Sequence, residues 1–170
     1  KKLKSVQQKE KFFELLEQVY PNLEKFALNL CRNRDIAKDL VSETVIRAYD
    51  NFENLRNQQA FLSYIFSICS NTYLSKLKRA KREQSYDIEE FDELYGTEIS
   101  PERQTDYKFL YEAIDKLPTE LKEAVILFEI IGLPQKEIAE IQNITVQNLK
   151  VRLHRARHKL ASILKIKEKV

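Results

Sequence analysis

Apolar residues recur along this chain at three- and four-residue steps, with almost nothing to interrupt the pattern. That spacing places them on one face of an α-helix, so each stretch that carries it can bury one side against a neighbour. Only two Gly and four Pro punctuate 170 residues, too few turn formers for a sheet of short strands. The chain is expected to be all-α, and its length suits one ordinary domain or two small ones.

Charge divides the chain. Residues 1–82 carry a net +7, residues 83–105 carry −7 and residues 106–170 carry +3, which leaves only +3 overall. The acidic stretch also breaks the helical period, with Asp87, Glu89, Glu90, Asp92, Glu93, Gly96, Glu98, Ser100, Pro101 and Glu102 in close succession. Low apolar content and charge of one sign predict a linker, and Tyr86, Phe91 and Tyr95 give it the means to dock. Two small helical domains, 1–82 and 106–170, are therefore expected on either side of an acidic linker at 83–105.

In the first domain the pattern predicts helices over residues 9–20 and 21–31, with Pro21 starting the second, where its missing N–H costs nothing. A third is expected over residues 35–52, capped by Asp35 and lined by Ile36, Leu40, Thr44, Ala48 and Phe52. A fourth spans residues 59–82. It begins apolar nearly all round, with Phe61, Leu62, Ile65, Phe66, Ile68 and Cys69, and ends in Lys76, Lys78, Arg79, Lys81 and Arg82. Between these lie Asn71, Thr72 and Tyr73. Cations neutralise phosphates, aromatic faces stack on bases, and an Asn amide can bond an unstacked base edge. A core helix with a solvated basic end accounts for the same residues, as a solvated face accounts for Asp39, Glu43, Arg47 and Asp50.

In the second domain, helices over residues 106–116 and 118–131 precede a short helix, a tight turn and a basic helix over about 147–164. The last helix carries Leu149, Leu153, Ala156, Leu160 and Ile163 on one stripe, with Thr145 placed to cap it. Lys150, Arg152, His154, Arg155, Arg157, His158 and Lys159 lie off that stripe. A helix anchored by one face and cationic elsewhere, held by a helix and turn, fits the major groove of DNA. Val151 adds an apolar group that can meet thymine methyls.

Three segments together resemble a known family. DIAKDLVSET at 35–44 with Arg47-Ala48-Tyr49, FLSYIFSICSN at 61–71, and GLPQKEIAEIQNITVQNLKVRLHRARHKL at 132–160 are similar, in that order, to motifs of the extracytoplasmic-function (ECF) sigma factors. The resemblance implies a two-domain factor that binds core RNA polymerase and promoter DNA. It implies that Asp39, Ser42, Glu43 and Arg47 meet the polymerase. It implies that Tyr64, Asn71, Lys76, Lys78 and Arg79 serve minus-ten recognition and melting. Lys150, Val151, Arg152, His154, Arg155 and Arg157 then serve minus-thirty-five recognition, with Lys150, Val151, His154 and Arg155 at the groove-facing positions. An anti-sigma factor is an implied partner. The chain departs from the family pattern at Ser42 (Gln), Tyr64 (Trp), Ser67 (Arg), Asn143 (Gly) and Gln147-Asn148 (Gly-Thr). A stand-alone helix–turn–helix regulator of duplex DNA is the alternative reading.

Other function classes find no support. The sequence holds no Gly-rich phosphate loop, no Ser-x-x-Lys or HExxH motif and no useful Cys–His pairing, so no catalytic residues and no cofactor are expected. His154 and His158 sit four apart, but no carboxylate or Cys is spaced to complete a metal site. Cys31 and Cys69 are expected as buried free thiols of a reducing compartment. The start, Lys1-Lys2-Leu3-Lys4, lacks the apolar core of a signal peptide and an initiator Met, which suggests a trimmed chain. No apolar run approaches the roughly 20 residues of a membrane span. A cytoplasmic location without membrane insertion is the expectation.

Overall fold

The computed structural model describes residues 6–55, 57–83 and 101–168. Most of the expected acidic linker, with Tyr86, Phe91 and Tyr95, lies outside them. All regular elements among the described residues are helical. The chain divides into two compact units, residues 1–90 and 91–170.

The first unit packs three long helices, α1 (Val6–Cys31), α2 (Arg34–Asp50) and α3 (Phe61–Glu83), around an aromatic core. The expected break at Pro21 does not occur, and α1 runs through it. The buried stripe explains why: Phe12, Leu16, Leu23, Phe26, Ala27 and Leu30 continue on both sides of the proline, which lies on the exposed face. Packing of one continuous apolar face outweighs the backbone bond that proline removes, locally about 3 kcal/mol.

Phe12 is the hub of this core. Its ring meets Tyr49, Phe52 and Phe61 edge-on at centroid distances of 5.1, 5.2 and 5.6 Å. Phe26 stacks on Phe66 at 5.3 Å. Such pairs add about 0.5–1.5 kcal/mol each beyond area burial. Two phenols tie the helices together: Tyr64 donates to the Ala48 carbonyl at 2.8 Å and Tyr73 to the Leu30 carbonyl at 3.0 Å.

The cap of α2 is Asn33, not Asp35. The Asn33 side-chain oxygen accepts from the backbone N–H groups of Asp35 and Ile36 at 2.9 and 3.0 Å. Arg32, at φ 57°, turns the chain left-handed just before it and moves the helix start one residue upstream. Asp35 then sits in the first turn, where its charge suits the helix dipole.

In the second unit, α4 (Pro101–Asp115) starts at its proline, five residues before the expected position. Then follow α5 (Thr119–Val125), which widens into a π-helical stretch (Ile126–Ile131), α6 (Gln135–Ile141) and α7 (Val146–Glu168). The core is drawn from Ala113, Ile114, Leu121, Ala124, Val125, Ile126, Leu127, Ile138, Ala139, Leu149, Leu153 and Ala156. The buried Lys122 ammonium is paired with Asp115 at 2.8 Å, which joins α5 to the end of α4. The widened stretch ends at Gly132, whose φ of 80° is left-handed, and the Leu133 N–H returns to the Leu127 carbonyl at 3.0 Å.

Candidate nucleic-acid interfaces

The turn between α6 and α7 is closed by backbone bonds on both sides. Asn143, at φ 52°, takes the left-handed position that glycine most often fills. Its N–H donates to the Glu140 carbonyl at 3.1 Å and the Ile144 N–H to the Ala139 carbonyl at 2.9 Å, the paired bonds of a Schellman motif. On the far side the Thr145 hydroxyl accepts from the Asn148 N–H at 3.1 Å and caps α7. The direction of α7 relative to α6 is thus set by the turn before any side chain packs.

Leu149, Leu153 and Ala156 then bury one face of α7 against its own unit. Opposite them Val151, His154 and Arg155 are exposed, with Lys150 exposed on the flank. Val151 keeps 40% of its surface open, which makes it an apolar point within a cationic face. The imidazoles of His154 and His158 lie 4.9 Å apart. Among the described residues, no three His, Cys, Asp or Glu side chains gather closely enough to hold a metal ion.

Arg152 and Arg157 are placed differently from the other four residues expected to touch DNA. Arg152 is part-buried, and its guanidinium donates to the Gln142 side-chain oxygen at 3.2 Å. The Gln142 amide nitrogen in turn donates to the Glu120 carbonyl at 3.0 Å. Arg157 donates to Glu129 at 2.7 Å and lies over the Phe128 ring at 5.8 Å. Sequence reasoning missed Gln142 and Glu129. Nothing in their spacing marks them, because both partnerships join residues distant along the chain.

The second polar surface lies on α3. Asn71, Ser75, Lys78 and Arg82 follow the helical period and are all exposed, with Arg79 exposed beside them. The aromatic groups expected there are committed elsewhere. Tyr73 is held on the α1 carbonyl, and Thr72 is only 1% exposed. Tyr64 is part-buried against α2, and burial pushes its phenol above the ordinary value of 10.0. The surface is therefore one of amide and cations.

Beside that stripe the structure joins residues expected to have separate roles. Glu43 on α2 accepts from Lys76 on α3 at 2.9 Å and from Arg47 at 2.6 Å. The hydrogen bond from Lys76 is the main reason that the Glu43 carboxyl titrates below its ordinary 4.5, with Arg47 adding to it against the opposing effect of burial. Asp39 and Ser42 lie exposed on the same helix, and Ile46 among them keeps 62% of its surface open. No helix among the described residues is long and apolar enough to cross a membrane.

Comparison with known proteins adds the following. Residues 15–83 match the family Sigma-70 region 2, and residues 110–160 match Sigma-70, region 4. The chain is 33% identical over 148 residues to the ECF RNA polymerase sigma factor EcfG of Rhodopseudomonas palustris, covering 85% of this chain and 80% of the relative. It is 32% identical over 132 residues to the RNA polymerase sigma factor SigV of Bacillus subtilis, covering 78% of each. Among solved structures, the sigma factor RpoE in complex with the anti-sigma factor NepR, from Bartonella quintana, matches with a TM-score of 0.75 and 26% identity. That match covers 91% of this chain and 97% of the other.

Proposed function

The chain belongs to the extracytoplasmic-function RNA polymerase sigma factors, within the sigma-70 family, and from this we propose how its surfaces divide the work of initiation. The protein directs core RNA polymerase to promoters. Residues 106–170 recognise the upstream element as duplex, residues 1–82 bind the polymerase and capture the melted downstream element, and residues 83–105 link them.

One observation carries the upstream assignment: α7 is fixed by a capped turn and a buried stripe while Lys150, Val151, His154 and Arg155 stay exposed on its outer side. Arg155 and Lys150 offer donors to guanine edges or phosphates, and Val151 an apolar contact for a thymine methyl. Downstream, Asn71 bonds an unpaired base edge while Lys78 and Arg79 neutralise phosphates. Asp39, Ser42 and Arg47 face the polymerase, and Glu43 joins that surface to Lys76 on the DNA side. The likeness to a sigma factor solved with its anti-sigma factor supports an anti-sigma partner here. The protein works by binding, without catalytic residues of its own, in the cytoplasm where polymerase acts.

The test is transcription from genomic DNA by purified core polymerase, with and without this protein, read by sequencing the products. A restricted set of new start sites sharing two sequence elements is the expected result. Tight duplex binding by the protein alone, with no new transcripts, would favour a stand-alone regulator instead.

A further inference from the structure

The two arginines engaged within the second unit straddle the buried stripe of α7. Five residues apart on a helix, Arg152 and Arg157 project about 140° from each other, with Leu149, Leu153 and Ala156 between them. Apolar packing is non-directional and resists rolling of a helix about its own axis only weakly. Hydrogen bonds are directional, and one on each flank resists a roll either way. Arg157 supplies one flank through Glu129. The other is a relay of two bonds: Arg152 donates to the Gln142 oxygen, and the same amide donates to the Glu120 carbonyl at the start of α5. Gln142 is also the C-cap residue of α6, so the relay starts from the turn that aims α7.

We infer that Arg152 and Gln142 are positioning residues for promoter discrimination: they set the roll of the reading helix, and Arg152 does so without touching DNA. A helix with its side chains is about 10 Å across, so a roll of roughly 20° moves an outward tip by about 2 Å. A shift of that size takes a hydrogen bond from ideal to absent. Val151, His154 and Arg155 would then meet the wrong base edges while the cationic face kept its overall attraction for phosphates. The inference rests on α7 being the duplex reader.

The experiment uses holoenzyme assembled from the full chain and core polymerase, with affinity measured on the preferred upstream element and on single-base variants of it over a range of salt. Arg152→Ala is expected to lower the preference for the best site about tenfold and leave the salt slope unchanged. Arg152→Gln has no charge but can still donate to the Gln142 oxygen, and it is expected to retain the preference. Arg152→Ala combined with Gln142→Ala is expected to be no worse than Arg152→Ala alone, as for two links of one chain. Lys150→Ala, by contrast, should make the slope shallower by about 0.9 while the preference stays. The inference is overturned if both Arg152 variants lose about 0.9 of slope with the preference intact, which marks a phosphate contact. It is also overturned if the two alanine substitutions multiply in effect. If Lys150→Ala and Arg155→Ala both leave promoter binding unchanged, α7 is not the reader, and the inference falls with that assignment.

Discussion

At the scale of single residues, exposure separates side chains that can meet a ligand from those that hold the fold. Arg155 is exposed on the outer side of α7, so Arg155→Ala should weaken upstream recognition by about 1–3 kcal/mol and relax preference at one base pair. Binding to a panel of single-base promoter variants checks this, and an unaltered preference would remove Arg155 from the reading set. Asn71, exposed on α3, is expected to act after polymerase has bound. Asn71→Ala should slow strand opening, followed by the reactivity of unpaired thymines, and leave the affinity for core polymerase unchanged. A matched loss of both would make Asn71 structural. The cations of α7 were legible in the sequence because a helical period assigns every residue to a face. The partners of Arg152 and Arg157 were not, because Gln142 and Glu129 come from other elements and no period reports them.

At the scale of elements, the boundaries follow local chemistry and the packing follows the stripe. Thr145 was legible as a cap because a hydroxyl stood just before a periodic run, and Thr145→Ala should cost about 1 kcal/mol. Leu153→Ala, which empties a position only 3% exposed, should cost about 2–5 kcal/mol. Thermal melting of the two variants should reproduce that order. The end of α1 at Pro21 was misjudged because local propensity pointed to a break while the tertiary face ran on. The start of α2 was misjudged because only the backbone shows that Arg32 turns left-handed. The Glu43–Lys76 tie between α2 and α3 has a definite response to acid. A carboxyl that titrates lower in the folded than in the unfolded chain stabilises the fold above the ordinary value of 4.5. That stabilisation is lost as pH falls through the lower folded-state value. The difference in stability between wild type and Glu43→Gln should therefore be full near neutrality and shrink on acidification. Denaturant midpoints at several pH values measure it, and a difference that grows toward acid would contradict the tie.

At the scale of the whole molecule, each unit has its own core and its own polar surface, an upstream reader in one and an amide-and-cation stripe in the other. A protein that grips a promoter at two places makes the DNA between them part of the recognition. Inserting about five base pairs between the two promoter elements turns the upstream site to the opposite side of the duplex, so initiation should collapse although both elements keep their sequence. Start-site mapping on spacer variants tests this, and undiminished initiation would mean that only one unit reads DNA. The all-α class and the helix–turn–helix were legible from spacing, and the family from three motifs in order.

The π-helical stretch from Ile126 to Ile131 bears on how this chain tolerates changes in length. A π-turn holds one residue more than an α-turn, so it marks a place where the protein accommodates an insertion without disturbing its neighbours. Loss of one residue there would restore ordinary winding and rotate everything on one side of the deletion by about 100° relative to the other. Glu129 and Phe128 would no longer sit beneath Arg157. A one-codon deletion in this stretch, far in sequence from any residue placed on DNA, would thus be a frameshift in orientation: every side chain of the reader kept, and the reader pointed elsewhere.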